Sequence, residues 1–299
     1  MKEKLMGFAR LARPANLPTA AADILAGIAI ALYLQNIDVL DFLTEQIGDV
    51  LLLVFSSVAL YAGGVVFNDV FDSELDAVER PERAIPSGLV PKREAVYFGT
   101  ILMISGITLA FKCTMLAGFI SVALTIAILA YDGYFKQFGF AGPLNMGICR
   151  GLNLLMGMSI LGLVSNWYLS LIPVVYIFAI TLISRGEVHG NNKKHIVWAG
   201  FLYAIVITSM ALIVMQQTSQ ILPIIPFLVL FCYLIYKPLL KAYKENSPKN
   251  IKKAVMGGVL SLVVMNACWV AGFSNWYLAL AVLLLLPLSV LLSKLFAVT

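Results

Sequence analysis

Residues 50–67, VLLLVFSSVALYAGGVVF, run straight into residues 68–88, NDVFDSELDAVERPERAIPSG. The first stretch is apolar or small throughout, close to the ~20 residues with which a helix crosses a bilayer core. The second is acidic, holding six of the chain's 16 carboxylates between Asp69 and Glu82. On a helix, Asn68, Asp72 and Asp76 stand at i, i+4 and i+8, with Asp69 three before Asp72, so all four share one face. Like charges stacked in this way destabilise a helix unless something positive sits among them. A divalent cation held through oxygen is an economical partner, and Mg²⁺ uses one or two carboxylates together with substrate phosphates. The competing reading, a solvated acidic cap on a membrane helix, needs no such spacing.

Composition fixes the class around this stretch. Of 299 residues, 61% are hydrophobic and 12% charged, with a mean hydropathy of +0.91. A soluble domain has no use for so much apolar surface, so the chain reads as a polytopic membrane protein. The N-terminus carries Lys2, Lys4, Arg10 and Arg13 but lacks the short apolar region and small-residue cleavage site of a secretory signal. Cys113, Cys149, Cys232 and Cys268 are scattered through apolar segments without metal-ligand spacing, as reduced packing residues are.

Apolar segments fall near 17–35, 49–68, 94–111, 114–131, 141–163, 167–184, 196–215, 220–238, 251–272 and 275–296, ten candidate spans in all. With the N-terminus inside, 19 of the 21 Lys and Arg residues lie on the inner side; Lys112 alone is outside and Arg150 is within a span. That asymmetry makes the N-terminus and the acidic loop cytoplasmic. It also accounts for the net charge of +5 without nucleic acid as a partner. No soluble domain, linker or low-complexity segment is evident, so residues 1–299 are expected to form a single transmembrane domain.

Asn68-Asp69-x-x-Asp72-x-x-x-Asp76 at the end of a membrane helix, followed by Arg83-Ala84-Ile85-Pro86-Ser87-Gly88, resembles the first aspartate motif and following loop of the UbiA family of intramembrane prenyltransferases. The resemblance implies an all-α bundle of nine to ten transmembrane helices around a central cavity. It implies Mg²⁺-dependent transfer of an isoprenoid chain from a prenyl diphosphate to an aromatic or other lipophilic acceptor. Asn68, Asp69, Asp72 and Asp76 would be the metal ligands. Arg83, Lys136 and Arg185 could contact diphosphate oxygens, the arginines in bidentate fashion. Tyr131-Asp132-Gly133-Tyr134-Phe135-Lys136 and the later Asn145 also resemble the family, in which a Tyr and a Lys end the fourth span and an Asn begins the fifth near the diphosphate. Asp72, Asp76, Lys136 and Arg150 are then the expected catalytic residues. Arg10 to Pro18 resembles the family's start and puts Asn16 towards the acceptor.

Each of these has a plainer reading. Lys136 suits a cytoplasmic anchor and Asn16 a helix cap. Arg150, inside a span, demands a partner, and a structural salt bridge would serve; Asp23 in the first span poses the same question.

Two departures stand out. The family usually has nine spans, and the tenth here follows a break at Gly272-Phe273-Ser274-Asn275. Most members also carry a second acidic motif with two aspartates four apart. The corresponding loop here has Ser184, Glu187 and Asn191, leaving Glu187 and Asn191 as the expected substrate-side residues and a second metal in question. The Ser184-to-Gly190 run resembles the UbiA-like branch called EboC. His189 and His195 read as loop residues. The alternative function is a catalytically altered protein that binds or transports a prenyl-lipid precursor.

Overall fold

The computed structural model describes residues 2–187, 190–218 and 221–296. It is helical throughout, with no strand among the described residues. In chain order the helices are α1 (Lys2–Leu11), α2 (Leu17–Leu34), α3 (Val39–Phe71), α4 (Ser73–Glu79), α5 (Lys92–Cys113), α6 (Met115–Gly133), α7 (Ala141–Met158), α8 (Leu171–Ser184), α9 (Lys193–Thr218), α10 (Ile225–Lys244), α11 (Pro248–Phe273), α12 (Trp276–Leu283) and α13 (Leu285–Leu295).

The ends of these helices are written locally. Asp38 caps α3 by accepting from the Leu40 and Asp41 amides at 2.8 and 3.2 Å. Thr114 caps α6 by accepting from Ala117 N at 3.0 Å. Ser247 caps α11 ahead of Pro248, which stands at the first helical position, where its missing N–H costs nothing. With 33 residues, α3 would be about 50 Å long if straight, well beyond a bilayer core. It breaks at Gln46 (φ −128°, ψ 32°), which separates an amphipathic entry from the span proper.

Nine helical segments among the described residues are long and apolar enough to cross a membrane, so the chain is an integral, multi-pass membrane protein. The tenth long helix, α7, is less hydropathic because Asn145, Arg150 and Asn153 sit in it, all buried. It nevertheless packs against α2, α6 and α8 at the centre of the bundle. The break expected near 272–275 is present, with Ser274 ending α11. Beyond it α12 packs on α11, and α13 returns against α2 and the 3₁₀ turn Pro14–Asn16.

The two larger of three apolar clusters divide most of the interior. The largest joins α2 and α7 to α8–α11, and the second joins α2 and α7 to α3 and α6. Helices α2 and α7 therefore contribute to both, Ala22, Ala26 and Ala29 facing one cluster and Ile24, Ile28 and Leu32 the other. Lipid tails are as apolar as leucine, so close packing rather than water exclusion must hold helices together here. Small residues supply it. A Cβ on Gly157 would lie 2.6 Å from the Ile24 carbonyl oxygen, and one on Gly27 would lie 2.4 Å from that of Leu154. Gly157→Val is therefore expected to push α2 and α7 apart and destabilise the fold by about 1–3 kcal/mol. Thermal unfolding in detergent, followed against a surface substitution such as Val78→Ala, measures this.

Candidate functional site

The site begins where α3 ends. Asp72 lies at the junction (φ −85°, ψ 0°), and α4 starts at the next residue. Helical hydrogen bonding carries across it, from Asp72 N to Asn68 O at 3.0 Å and from Asp76 N to Asp72 O at 2.8 Å. The three-and-four spacing thus survives the break.

What neutralises the acidic face is side-chain cation from three separate segments. Arg13 Nη2 lies 2.5 Å from Asp69 Oδ1. Arg83 Nη1 donates to Asp76 Oδ2 at 2.6 Å and lies 3.4 Å from Asp69 Oδ1. Lys136 donates to Asp72. Asn68 donates its amide to Asp132 Oδ1 at 2.8 Å. Each of Asp69, Asp72 and Asp76 meets at least one cation, Arg83 serving both Asp76 and Asp69, and no three His, Cys, Asp or Glu side chains among the described residues converge as a ready metal cage. Arg13 and Asp132 were not singled out from the sequence. Arg13 takes a left-handed conformation (φ 46°) and the chain turns there, which the sequence does not announce, since a residue before proline is ordinarily extended.

Deeper in the bundle, Arg150 finds the partner its burial demanded. Its Nε lies 2.6 Å from Asp23 Oδ2, and its Nη2 donates to the Thr19 carbonyl at 2.6 Å. Asp23 is only 1% exposed and Arg150 7%. Asn153 donates to Asp23 Oδ2 at 2.9 Å, Asn266 to Oδ1 at 2.6 Å, and Ser57 to Asn153 Oδ1 at 2.7 Å. Four helices, α2, α3, α7 and α11, are tied by this knot.

The other expected residues scatter. Asn145 spends its amide on the Ala127 carbonyl of α6, at 2.9 Å. Asn16 stands at the cap of α2, but its side chain makes no capping bond. Arg185 flanks Gly139 and, with Lys136, lines a second recess of about 270 Å³. Glu187 is half-buried; burial raises its pKa, against the pull of Lys252 and Arg80. Asn191 is exposed in a left-handed conformation (φ 54°), while its neighbour Asn192 is buried and donates to the Leu182 and Ile183 carbonyls at the end of α8. His189 lies outside the described residues, and His195 lies in the first turn of α9.

Between the charged cluster and the knot lies a cavity of about 200 Å³. Arg13, Asn68, Tyr131 and Asp132 line its charged end, and Thr19, Ser57, Tyr61, Arg150 and Asn153 its inner end, with apolar walls such as Val65, Leu124 and Ile128.

Fold and site together define a polytopic α-helical membrane protein with an internal cavity opening onto a compensated acid–base cluster. The UbiA prenyltransferase family matches residues 24–188, more than half the chain, and the protein belongs to that family. Among curated relatives it is similar to the digeranylgeranylglyceryl phosphate synthases of Methanococcoides burtonii (38% identity over 37% of this chain and 40% of that one) and Metallosphaera sedula (29% identity over 69% and 79%). Against the synthases of Methanococcoides burtonii, Methanosarcina barkeri and Methanosarcina mazei, the chain spans 39–45% of the relatives' length. Among solved structures it resembles a digeranylgeranylglyceryl phosphate synthase described in membranes (TM-score 0.65, 22% identity, 91% of this chain and 99% of that one). It also resembles a UbiA homolog from Archaeoglobus fulgidus bound to GPP and Mg²⁺ (TM-score 0.56, 14% identity, 85% and 99%).

Arg150→Met is expected to cost about 3–5 kcal/mol of stability by stranding a buried carboxylate, and adding Asp23→Asn to recover most of it. Unfolding midpoints of the two single variants and the double variant make the comparison.

Proposed function

We propose that the protein is a Mg²⁺-dependent prenyltransferase, moving an isoprenoid chain from a prenyl diphosphate to a lipophilic acceptor at the membrane. The observation that carries the reading is the alternation of three carboxylates, Asp69, Asp72 and Asp76, with three cations, Arg13, Arg83 and Lys136, at the end of a membrane cavity. Family membership and the GPP- and Mg²⁺-bound homolog support it. In line with the distribution of Lys and Arg, the cluster faces the cytoplasm.

The donor set suits the ion. Asn68, Asp72 and Asp76 offer hard oxygen ligands, and Asp72 is the more open of the two carboxylates, its side chain 24% exposed against 5% for Asp76. Asp69, held by both Arg13 and Arg83, is the carboxylate least free to ligate. When bound, Mg²⁺ supplies positive charge where the diphosphate departs.

The chain's own residues do the rest. Arg83 and Lys136 exchange their carboxylate partners for phosphate oxygens, so two cations already part-buried beside the acidic stripe meet the leaving group. Such fixed charge is commonly the largest catalytic contribution. Arg13 does the same from the first turn of the chain. Asp23 holds Arg150 in place, and the apolar walls exclude water from the allylic carbon. Glu187 and Asn191, in the loop after α8, are in this reading the weaker counterpart of the acidic stripe, with Glu187 balanced against Arg80 and Lys252. Residues 1–299 act as one transmembrane unit in this reading.

Purified protein incubated with labelled prenyl diphosphate, Mg²⁺ and a panel of acceptors should form prenylated product. Asp72→Ala and Asp76→Ala should each lower kcat by about 10²–10³-fold. No turnover, with prenyl diphosphate binding indifferent to both substitutions, would instead indicate a lipid-precursor carrier. Glu187→Gln is expected to leave the Mg²⁺ dependence close to that of the parent; a loss as deep as that of Asp72→Ala would make Glu187 an ion ligand.

A further inference from the structure

Charge is divided unequally between the two halves of the chain. Residues 68–94 hold seven carboxylates against four Lys or Arg residues. The cations that reach them are paired, Arg13, Arg83 and Lys136 with the acidic stripe and Lys4 with Glu94 at 2.7 Å. Residues 188–299 hold nine lysines and one carboxylate, Glu245. Among the described residues none of those nine lysines forms an ion pair. The preference of Lys and Arg for one side of a membrane accounts for the side they occupy. It does not account for one half neutralising them and the other leaving them bare.

Six of the nine gather where α10 ends and α11 begins, from Lys237 to Lys253, and all six are exposed. Phe231, Ile235, Leu239 and Ala242 form the buried side of α10, which packs on α11. Lys237, Lys241 and Lys244 stand at i, i+4 and i+7 on the opposite side, with Tyr233 and Leu240 in the same exposed stripe. Lys237 Nζ donates to the Tyr233 hydroxyl at 2.5 Å and lies 4.7 Å from its ring centroid. Lys193, which opens α9, lies 5.6 Å from the Tyr243 ring. An aromatic face steadies an ammonium without cancelling its charge. The single carboxylate is engaged elsewhere, Glu245 Oε2 accepting from the Asn250 amide at 2.9 Å. Lys237, Leu240, Lys241, Lys244 and Glu245 line one recess, which therefore keeps an excess of positive charge.

We infer that this face holds the phosphate of an anionic phospholipid from the surrounding leaflet. Depth selects the occupant. The apolar segment Leu222–Lys244 is 23 residues, about 35 Å as a helix against a hydrocarbon core of about 30 Å, so its last turns stand at headgroup level. Lys237 lies seven residues before the end, about 10 Å back along the axis. An acidic soluble protein would have to enter the headgroup layer to meet it. A phosphodiester is already there, its acyl chains lying against exposed Val229 and Tyr233 of the same helix. Lysines clustered at the end of a membrane helix draw anionic headgroups in this way. The bound lipid fastens the adjoining ends of α9, α10 and α11 to the membrane surface. No residue of the acidic stripe or of the central cavity takes part, so the inference stands apart from the prenyl-transfer reading.

The test equilibrates full-length protein in micelles with equal amounts of phosphatidylcholine and phosphatidylglycerol, and counts the retained lipids by native mass spectrometry. The parent should keep phosphatidylglycerol over phosphatidylcholine by about tenfold, less as salt rises. Lys237→Gln, Lys241→Gln and Lys244→Gln combined should bring the ratio to about one, whereas Arg at the same three positions should preserve it. Lys92→Gln, Arg93→Gln and Lys294→Gln combined remove as much charge elsewhere and should leave the ratio near the parent's. Unfolding midpoints in phosphatidylcholine alone show which variants fold, and phosphatidylglycerol should raise the midpoint of the parent but not of the first triple variant. If that variant folds poorly, Lys241→Gln alone should lower the ratio about threefold. A parent without preference overturns the inference and leaves the face to an acidic protein partner. An equal loss in the control variant also overturns it, since diffuse charge would then suffice. So does displacement of the lipid by soluble glycerol phosphate, which would make this a site for a free phosphoester.

Discussion

A charged pair buried between the two central helices conditions the rest of the bundle. Asp23 on α2 and Arg150 on α7 are both nearly closed off from solvent, and each is the other's buried counter-charge. Around them Asn153, Asn266 and Ser57 bring in α11 and α3 and fix the rotation of each helix about its own axis. In an interior where almost any apolar surface can pack against any other, such a knot selects one arrangement. Glycines at the α2–α7 crossing let the backbones approach closely enough for the pair to form.

The acidic stripe at the end of α3 follows the same rule at lower burial. Stacked carboxylates require positive charge, and without a ligand the chain supplies it from Arg13, Arg83 and Lys136. These cations reach in from three loops far apart in sequence, which keeps the loops folded over the cavity's open end. Compensated charge of this sort is exchangeable. A polyanion arriving with a divalent ion can take the cations while the ion takes the carboxylates, so binding costs little fresh desolvation.

Much of this was legible beforehand, and the reason is local. The helix-period spacing of Asn68, Asp72 and Asp76, the apolar run before them and the break at 272–275 are short-range patterns, and each has its structural counterpart. Arg150 announced a partner simply by lying inside a span. What could not be read were pairings set by helix rotation. Nothing in the sequence aims Arg13 at Asp69, Asn68 at Asp132 or Asn266 at Asp23, the last separated by 243 residues. The loop after α8 was only partly legible for a related reason. Spacing points to Asn191, which is exposed, but gives no hint that its neighbour Asn192 is the buried, bonded one, and which of two neighbours turns inward depends on a single left-handed residue.

The return of α13 against the 3₁₀ turn at Pro14–Asn16 has a mechanical meaning. That turn follows directly on Arg13, which holds Asp69 in the charged cluster. A helix that contributes no side chain to the cluster therefore braces it, and loosening α13 would slacken the turn and, through it, the grip of Arg13 on Asp69.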